Sequence, residues 1–125
     1  MRLLLDTHIY LWSVSGSQNL SKKAKSLIID ADEVFVSSAS IWEASIKASL
    51  GKLDVDIEQL VMEIEASGFQ ALAVTTAHAA RVRQLPDIHR DPFDRLLISQ
   101  AQCEPLQLLT ADKHLSQYSE LVIVV

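Results

Sequence analysis

Short, wholly apolar runs alternate along the chain with longer stretches of helical spacing. "LLL" (3–5), "VFVS" (34–37), "ALAV" (71–74), "LQLL" (106–109) and "LVIVV" (121–125) have the length and make-up of strands. They are apolar throughout, without an apolar–polar alternation, which predicts strands covered on both faces and hence a parallel sheet. Between them, segments 7–14, 21–31, 40–50, 57–67, 76–84, 92–103 and 112–117 predict about seven helices. Ser21, Ser40, Asp56 and Thr76 stand where N-caps belong, and Gly51 and Gly68 where helices stop. Alternating β and α elements predict an α/β three-layer domain. With no repeat, linker or low-complexity segment, that domain is expected to span residues 1–125.

Composition narrows the class. Half the residues are hydrophobic and only three are glycine and three proline, the profile of a chain that folds around a core. Cys103, the only cysteine, excludes a disulfide framework and a cysteine-based zinc site; it is expected to pack inside its helix. A lone thiol fits a reducing cytoplasm. The first residues, "MRLLLDTHIYLW", meet Asp6 too early for a secretory signal, and no run approaches the length of a membrane span. The net charge is −5, which speaks against holding nucleic acid by bulk attraction. It leaves room for carboxylates gathered at one place.

The acids fall at telling positions. Asp6 follows "LLL" directly, Glu43 lies one turn into the helix after "VFVSS", and Asp112 lies just past "LQLLTA". In an open parallel sheet the loops after the strands' carboxyl ends meet at one edge, so these three acids share a rim. "HRDPFDR" (89–95) adds two more: Asp91 as a cap, Pro92 at the first helical position and Asp94 at the third. For that helix start to reach the same rim, "LPDIHR" (85–90) has to climb to it.

Taken singly, each acid has a capping role available. Asp6 would cap the helix from Thr7, Glu43 would complete a capping box with Ser40, and Asp112 would cap "KHLSQY". Capping does not require that every such residue be acidic and stand at a strand's exit, however, and Ser and Thr serve as caps elsewhere in this chain. Gathered carboxylates repel one another unless a cation joins them. Mg²⁺ or Mn²⁺, which favour oxygen ligands, would remove that cost. Two such ions about 4 Å apart can orient a water for attack on a phosphodiester and stabilise the leaving oxygen. No Ser–His–Asp or Cys–His order competes, and "LGK" (50–52) lacks the glycines of a phosphate loop.

Four ordered segments carry a resemblance. "LLLDTHIYLW", "SSASIWEASIKASLGKL", "HRDPFDRLLISQA" and "LLTADKHLSQY" together resemble the acidic motifs of PIN-domain ribonucleases, specifically the toxin subunits of VapBC-type toxin–antitoxin modules. The resemblance runs from residue 1 to about 118. It implies a PIN-like fold with a parallel five-stranded sheet and one acidic pocket holding Mg²⁺ or Mn²⁺. It further implies cleavage of RNA, transfer or ribosomal, and a small antitoxin protein that blocks the pocket, with a homodimer inside the toxin–antitoxin complex. By position, Asp6, Glu43, Asp94 and Asp112 take the four acidic places as catalytic residues and metal ligands. Asp94 aligns with the third place because "LLISQA" follows it; Asp91 is then the cap and supports the site from behind.

The remaining candidates are supporting ones. Thr110 either orders the fourth acid or a metal-bound water or simply ends its strand, and Arg90 and Arg95 either meet a substrate phosphate or are solvated or paired with carboxylates. His8 and His114 each lie two residues beyond a pocket acid, but hard-cation sites favour oxygen. Trp12 and Trp42 lie on helical faces that are either core or partner-facing. Lys47, Lys52, Arg81 and Arg83 are either an RNA path or ordinary solvated charge. Rival functions fare worse. A phospho-accepting signalling domain wants paired acids after the first strand, and a haloacid-dehalogenase-like phosphatase wants a second acid two residues past Asp6, where His8 stands. A non-catalytic PIN-like module that only holds a protein partner is the alternative that residues alone leave open.

Overall fold

Arg2–Leu5 (β1) lies at the centre of a five-stranded sheet because its leucines are buried on both sides. The computed structural model describes residues 1–125. After β1 come α1 (Thr7–Ser15), α2 (Lys22–Asp30), β2 (Glu33–Ser37), α3 (Ser38–Ser49), α4 (Ile57–Ala66) and β3 (Gln70–Leu72). Then follow α5 (Thr76–Arg81), α6 (Pro92–Cys103), β4 (Gln107–Thr110) and β5 (Val122–Val124). Short 3-10 turns occupy Val82–Gln84 and Lys113–Gln117. All neighbouring strands are parallel, in the order β3-β2-β1-β4-β5. The order reverses between β1 and β4, and such a switch point opens a crevice at the carboxyl ends of the two strands.

Successive side chains of the three central strands, β1, β2 and β4, serve opposite layers. Leu3, Leu5, Val34, Val36 and Leu109 pack with Ile9, Tyr10, Ala24, Ala44, Leu60 and Ile64, drawn from α1 to α4. Leu4, Phe35 and Leu108 pack on the other face with Leu97, Ile98 and Ala101 of α6 and with Leu115. Each fully buried leucine contributes about 1.5–3 kcal/mol. The two-sided burial explains why these central strands show no polar alternation; the edge strands β3 and β5 are more open.

The five apolar runs are the five strands, displaced by at most two residues. Several local expectations are corrected. Ser37, not Ser40, caps α3, its hydroxyl accepting from the Ala39 N–H; Ser40 is inside the helix and accepts a hydrogen bond from the Thr7 hydroxyl at 2.9 Å. Glu43 therefore completes no capping box and is free for another purpose. Thr75, not Thr76, caps α5, in a capping box with His78. The seventh helix is the 3-10 turn Lys113–Gln117. Cys103 is exposed rather than packed, because it ends α6 on the side away from Leu97, Ile98 and Ala101.

The helix start at Asp91–Pro92 does reach the rim, and topology supplies the reason. A helix feeding a parallel strand runs antiparallel to it, so α6 begins at the carboxyl edge that β4 will run toward. The connection ahead of it is tied down by Arg95. Its guanidinium donates to the carbonyls of Pro86 (2.9 Å), Val82 (3.2 Å) and His89 (3.4 Å) and to the Tyr118 hydroxyl (3.2 Å). With its guanidinium committed to these acceptors, Arg95 braces the loop.

Candidate active site

At the switch point the backbone itself positions the first acid. The Asp6 N–H donates to the Leu109 carbonyl at 2.9 Å, extending the β1–β4 ladder one residue past β1. The Asp6 carboxylate is held at both oxygens: Oδ1 accepts from the Thr7 N–H (2.7 Å) and Oδ2 from the Thr110 hydroxyl (2.6 Å). The Thr110 oxygen in turn accepts from the Asp112 N–H at 3.0 Å, so one fully buried threonine links the acids that follow β1 and β4.

Glu43, buried on α3, has Oε2 paired with Lys47 Nζ at 2.7 Å, one helical turn on, while its Oε1 accepts no hydrogen bond from the protein. Asp91 caps α6 as expected, its Oδ1 accepting from the N–H groups of Phe93 (2.8 Å) and Asp94 (3.1 Å). Asp94 Oδ2 lies 3.0 Å from His89 Nε2. Asp112 caps the 3-10 turn through Oδ1, which accepts from the His114 N–H at 2.9 Å and lies 3.1 Å from its Nδ1. Its other oxygen is free.

Electrostatics shows that these acids share one space. Burial drives the Asp94 carboxyl up to about 7, and the charges of Asp6, Asp91 and Glu43 push the same way against the hydrogen bond from His89. Burial likewise raises Asp6, with Glu43 adding to it, although Thr110, His8 and Thr7 oppose the shift. Lys47 is raised by its hydrogen bond to Glu43 and by the charges of Glu43, Asp91 and Asp94, which makes it the cation of the cluster rather than a stray surface lysine. Asp112 sits below its ordinary value even though burial opposes this, because the N–H, ring and charge of His114, with His89, favour the carboxylate.

One member of the site went unassigned in the sequence. His89 Nε2 and one carboxylate oxygen each of Asp94 and Asp112 lie within 4.8 Å of one another, the spacing of groups that share a metal ion. His89 stood in the quoted heptapeptide, but a histidine ahead of a helix cap gives no sign of where its ring will turn. His8 lines a cleft of about 340 Å³ with Asp6, Trp12, Ala111 and Asp112. Arg90 is exposed and makes no ion pair or hydrogen bond, leaving it available at the rim. Trp12 is half-buried against the core, whereas Trp42 is 60% exposed and meets the Phe93 ring edge-on at 5.1 Å.

The oxygen-rich donor set and its mutual repulsion fit a hard divalent cation. The family model described as "PIN domain" matches residues 3–121. The chain belongs to the PIN-domain family. This PIN domain is 30% identical over 118 residues to Ribonuclease VapC22 of Mycobacterium tuberculosis, covering 93% of this chain and 91% of that protein. Its fold is similar to a crystal structure of VapBC2 from Rickettsia felis bound to a promoter DNA fragment, with TM-score 0.72 at 16% identity over 100% of this chain and 98% of that one. It is also similar to a toxin–antitoxin complex from Klebsiella pneumoniae, with TM-score 0.68 at 20% identity over 98% and 96% of the two chains. At those identities the solved structures bear on the fold alone.

Proposed function

We propose that this PIN domain is a Mg²⁺- or Mn²⁺-dependent endoribonuclease that hydrolyses phosphodiester bonds of a folded RNA, transfer or ribosomal. We propose further that it is the toxin of a toxin–antitoxin pair. One observation carries the reading: five carboxylates from four separate stretches of the chain converge at the switch point, and Asp94 among them is driven up to about 7 by burial and by its neighbours' charge. A protein using these acids only as caps would gain nothing from bringing them together. The likeness to a ribonuclease along nearly the whole chain supports the same conclusion.

Asp6, Glu43, Asp94 and Asp112 would hold the cations. When bound, these would activate a water and offset the charge that develops on the phosphate oxygens. The protein's own part is to hold the acids ready. Thr110 and the Thr7 N–H fix the Asp6 carboxylate beside the cleft it lines. Asp91 caps α6 and thereby sets the helix turn from which Asp94 projects. Glu43 keeps Oε1 open while Lys47 occupies Oε2. Arg90, unpaired beside Asp91, supplies a positive group for the RNA backbone, which an acidic chain otherwise lacks.

An antitoxin would find an apolar face beside the acids. Trp42 and Ile46 on α3 and Leu50 at its C-cap follow one another at helical spacing, and all three are exposed. Assembly of that complex around a toxin homodimer is part of the same proposal. No helix is long and apolar enough to cross a membrane, and the reading places the protein with its RNA in the cytoplasm.

The test is cleavage of pooled cellular RNA by purified, antitoxin-free protein with Mg²⁺, with Mn²⁺ and with EDTA. Discrete fragments that require metal are the expected result. Cleavage undiminished by EDTA would refute the metal-dependent reading. A protein that binds metal firmly and cuts no RNA class offered would leave the fold serving another substrate.

A further inference from the structure

We infer that His89 is a metal ligand of this site and that, with Asp94 and Asp112, it forms a cation position that prefers Mn²⁺ to Mg²⁺. The inference rests on the metal-dependent reading and adds a residue that the acidic motifs do not contain. Three observations carry it. First, His89 Nε2, an oxygen of Asp94 and an oxygen of Asp112 lie within 4.8 Å of one another, so a single ion can reach all three. Second, Asp112 has an oxygen without a protein partner, and Asp94 Oδ1 accepts no hydrogen bond, so both carboxylates have lone pairs to give.

Third, the imidazole is delivered by a braced backbone rather than by a loose loop. The Tyr118 hydroxyl accepts from the His89 N–H at 2.6 Å and lies 3.0 Å from the His89 carbonyl, to which Arg95 also donates. Tyr118 is itself buried, at the end of the 3-10 turn that Asp112 caps. The residue that clamps His89 therefore belongs to the segment that begins with the second ligand. A surface imidazole that merely neutralised Asp94 would need no such clamp.

The chemistry follows from the donor set. Mg²⁺ sheds water reluctantly and keeps to oxygen, so an imidazole adds little to its binding. A first-row transition ion such as Mn²⁺ accepts carboxylate and imidazole together. Asp94 has one oxygen beside His89 and leaves Oδ1 without a protein partner, so it could serve this position and still face the other acids.

The experiment is Mn²⁺ binding to the full chain without antitoxin. Calorimetry gives the affinities for Mn²⁺ and Mg²⁺, and pulsed electron paramagnetic resonance of bound Mn²⁺ reports nitrogen coordination directly. The wild type is expected to show a nitrogen hyperfine coupling that survives His8→Gln and His114→Gln and disappears in His89→Ala. That variant should lose about tenfold or more in Mn²⁺ affinity while its Mg²⁺ affinity stays within about twofold. Tyr118 and Arg95 hold the backbone of residue 89 rather than its ring, so the alanine variant should melt near the wild type without metal. His89→Gln provides a second variant of similar bulk. Mn²⁺ bound to the wild type without nitrogen coupling, or a coupling that persists in both His89 variants, overturns the inference and leaves the nuclease reading standing. A wild type that binds no Mn²⁺ overturns both.

Discussion

The two edges of the sheet both carry acids, and they treat them in opposite ways. At the amino edge Asp32 pairs with the amino terminus, and Glu33 takes Arg2 on one oxygen at 3.2 Å and Gln70 on the other at 2.9 Å. Asp32 is exposed and Glu33 half-buried, and the hydrogen bond and charge of the terminal ammonium hold Asp32 below its ordinary value. At the carboxyl edge five acids share Lys47 and two histidines, and burial pushes Asp6 and Asp94 upward. A cleft of about 420 Å³ opens beside Asp32 and Glu33, larger than the 340 Å³ one at Asp6 and Asp112. Room is therefore not what distinguishes the active edge. The acids of the amino edge are each matched by a partner at the surface, whereas those of the carboxyl edge crowd one another, an arrangement that a bound cation would relieve.

The sharpest break in this comparison comes from neutralising single acids. Asp94→Asn or Asp6→Asn should lower RNA cleavage by at least ~100-fold while leaving the circular dichroism spectrum unchanged, since each removes a charged ligand but keeps the shape. Retained cleavage in either variant under Mg²⁺ would remove that residue from the site. Next in size is Thr110→Val. It takes a buried hydrogen bond from Asp6 and an acceptor from the Asp112 N–H, and should cost roughly 1–3 kcal/mol in unfolding free energy. Cleavage should drop about tenfold with it, because two acids lose their positioning at once.

The pH dependence of the metal-free protein separates the edges by sign. Asp94 titrates in the folded state at about 7, above its ordinary value of 3.8. Its favourable contribution is thus complete below about pH 4 and is lost as the pH rises through about 7. Asp94→Asn should be more stable than the wild type at pH 8, by roughly 1–3 kcal/mol, and no more stable at pH 4; urea unfolding at the two pH values measures it. Asp32, shifted downward, contributes above its ordinary value and loses that contribution as the pH falls. The smallest effect belongs to Glu33→Gln. Its pair with Arg2 is solvent-exposed, so stability should move by less than ~1 kcal/mol and cleavage not at all.

How much of this was legible in the sequence follows the same division. The central strands could be read because two-sided burial leaves an unbroken apolar signature, and Asp6 and Asp112 because each lies at or just past the end of such a run. Caps were harder where several candidates adjoin: in "SSAS" any hydroxyl could start α3, and Ser37 prevails because Ser40 is turned toward Thr7. Arg95 and Arg90 look alike in "HRDPFDR", yet one braces carbonyls up to thirteen residues away and the other is free. His89 escaped for a similar reason. Its place depends on Tyr118, 29 residues downstream, and no local pattern encodes that contact.

The central claim, that the carboxyl edge gathers charge for a cation, is tested most directly by the melting temperature of the protein with and without Mn²⁺ at pH 8 and at pH 5. An ion that binds the native state must stabilise it, and protonating Asp94 must weaken that binding. The account predicts a rise of several degrees at pH 8 that shrinks markedly at pH 5 and is absent in Asp94→Asn. A shift of equal size at both pH values, or the same shift in the variant, would contradict it.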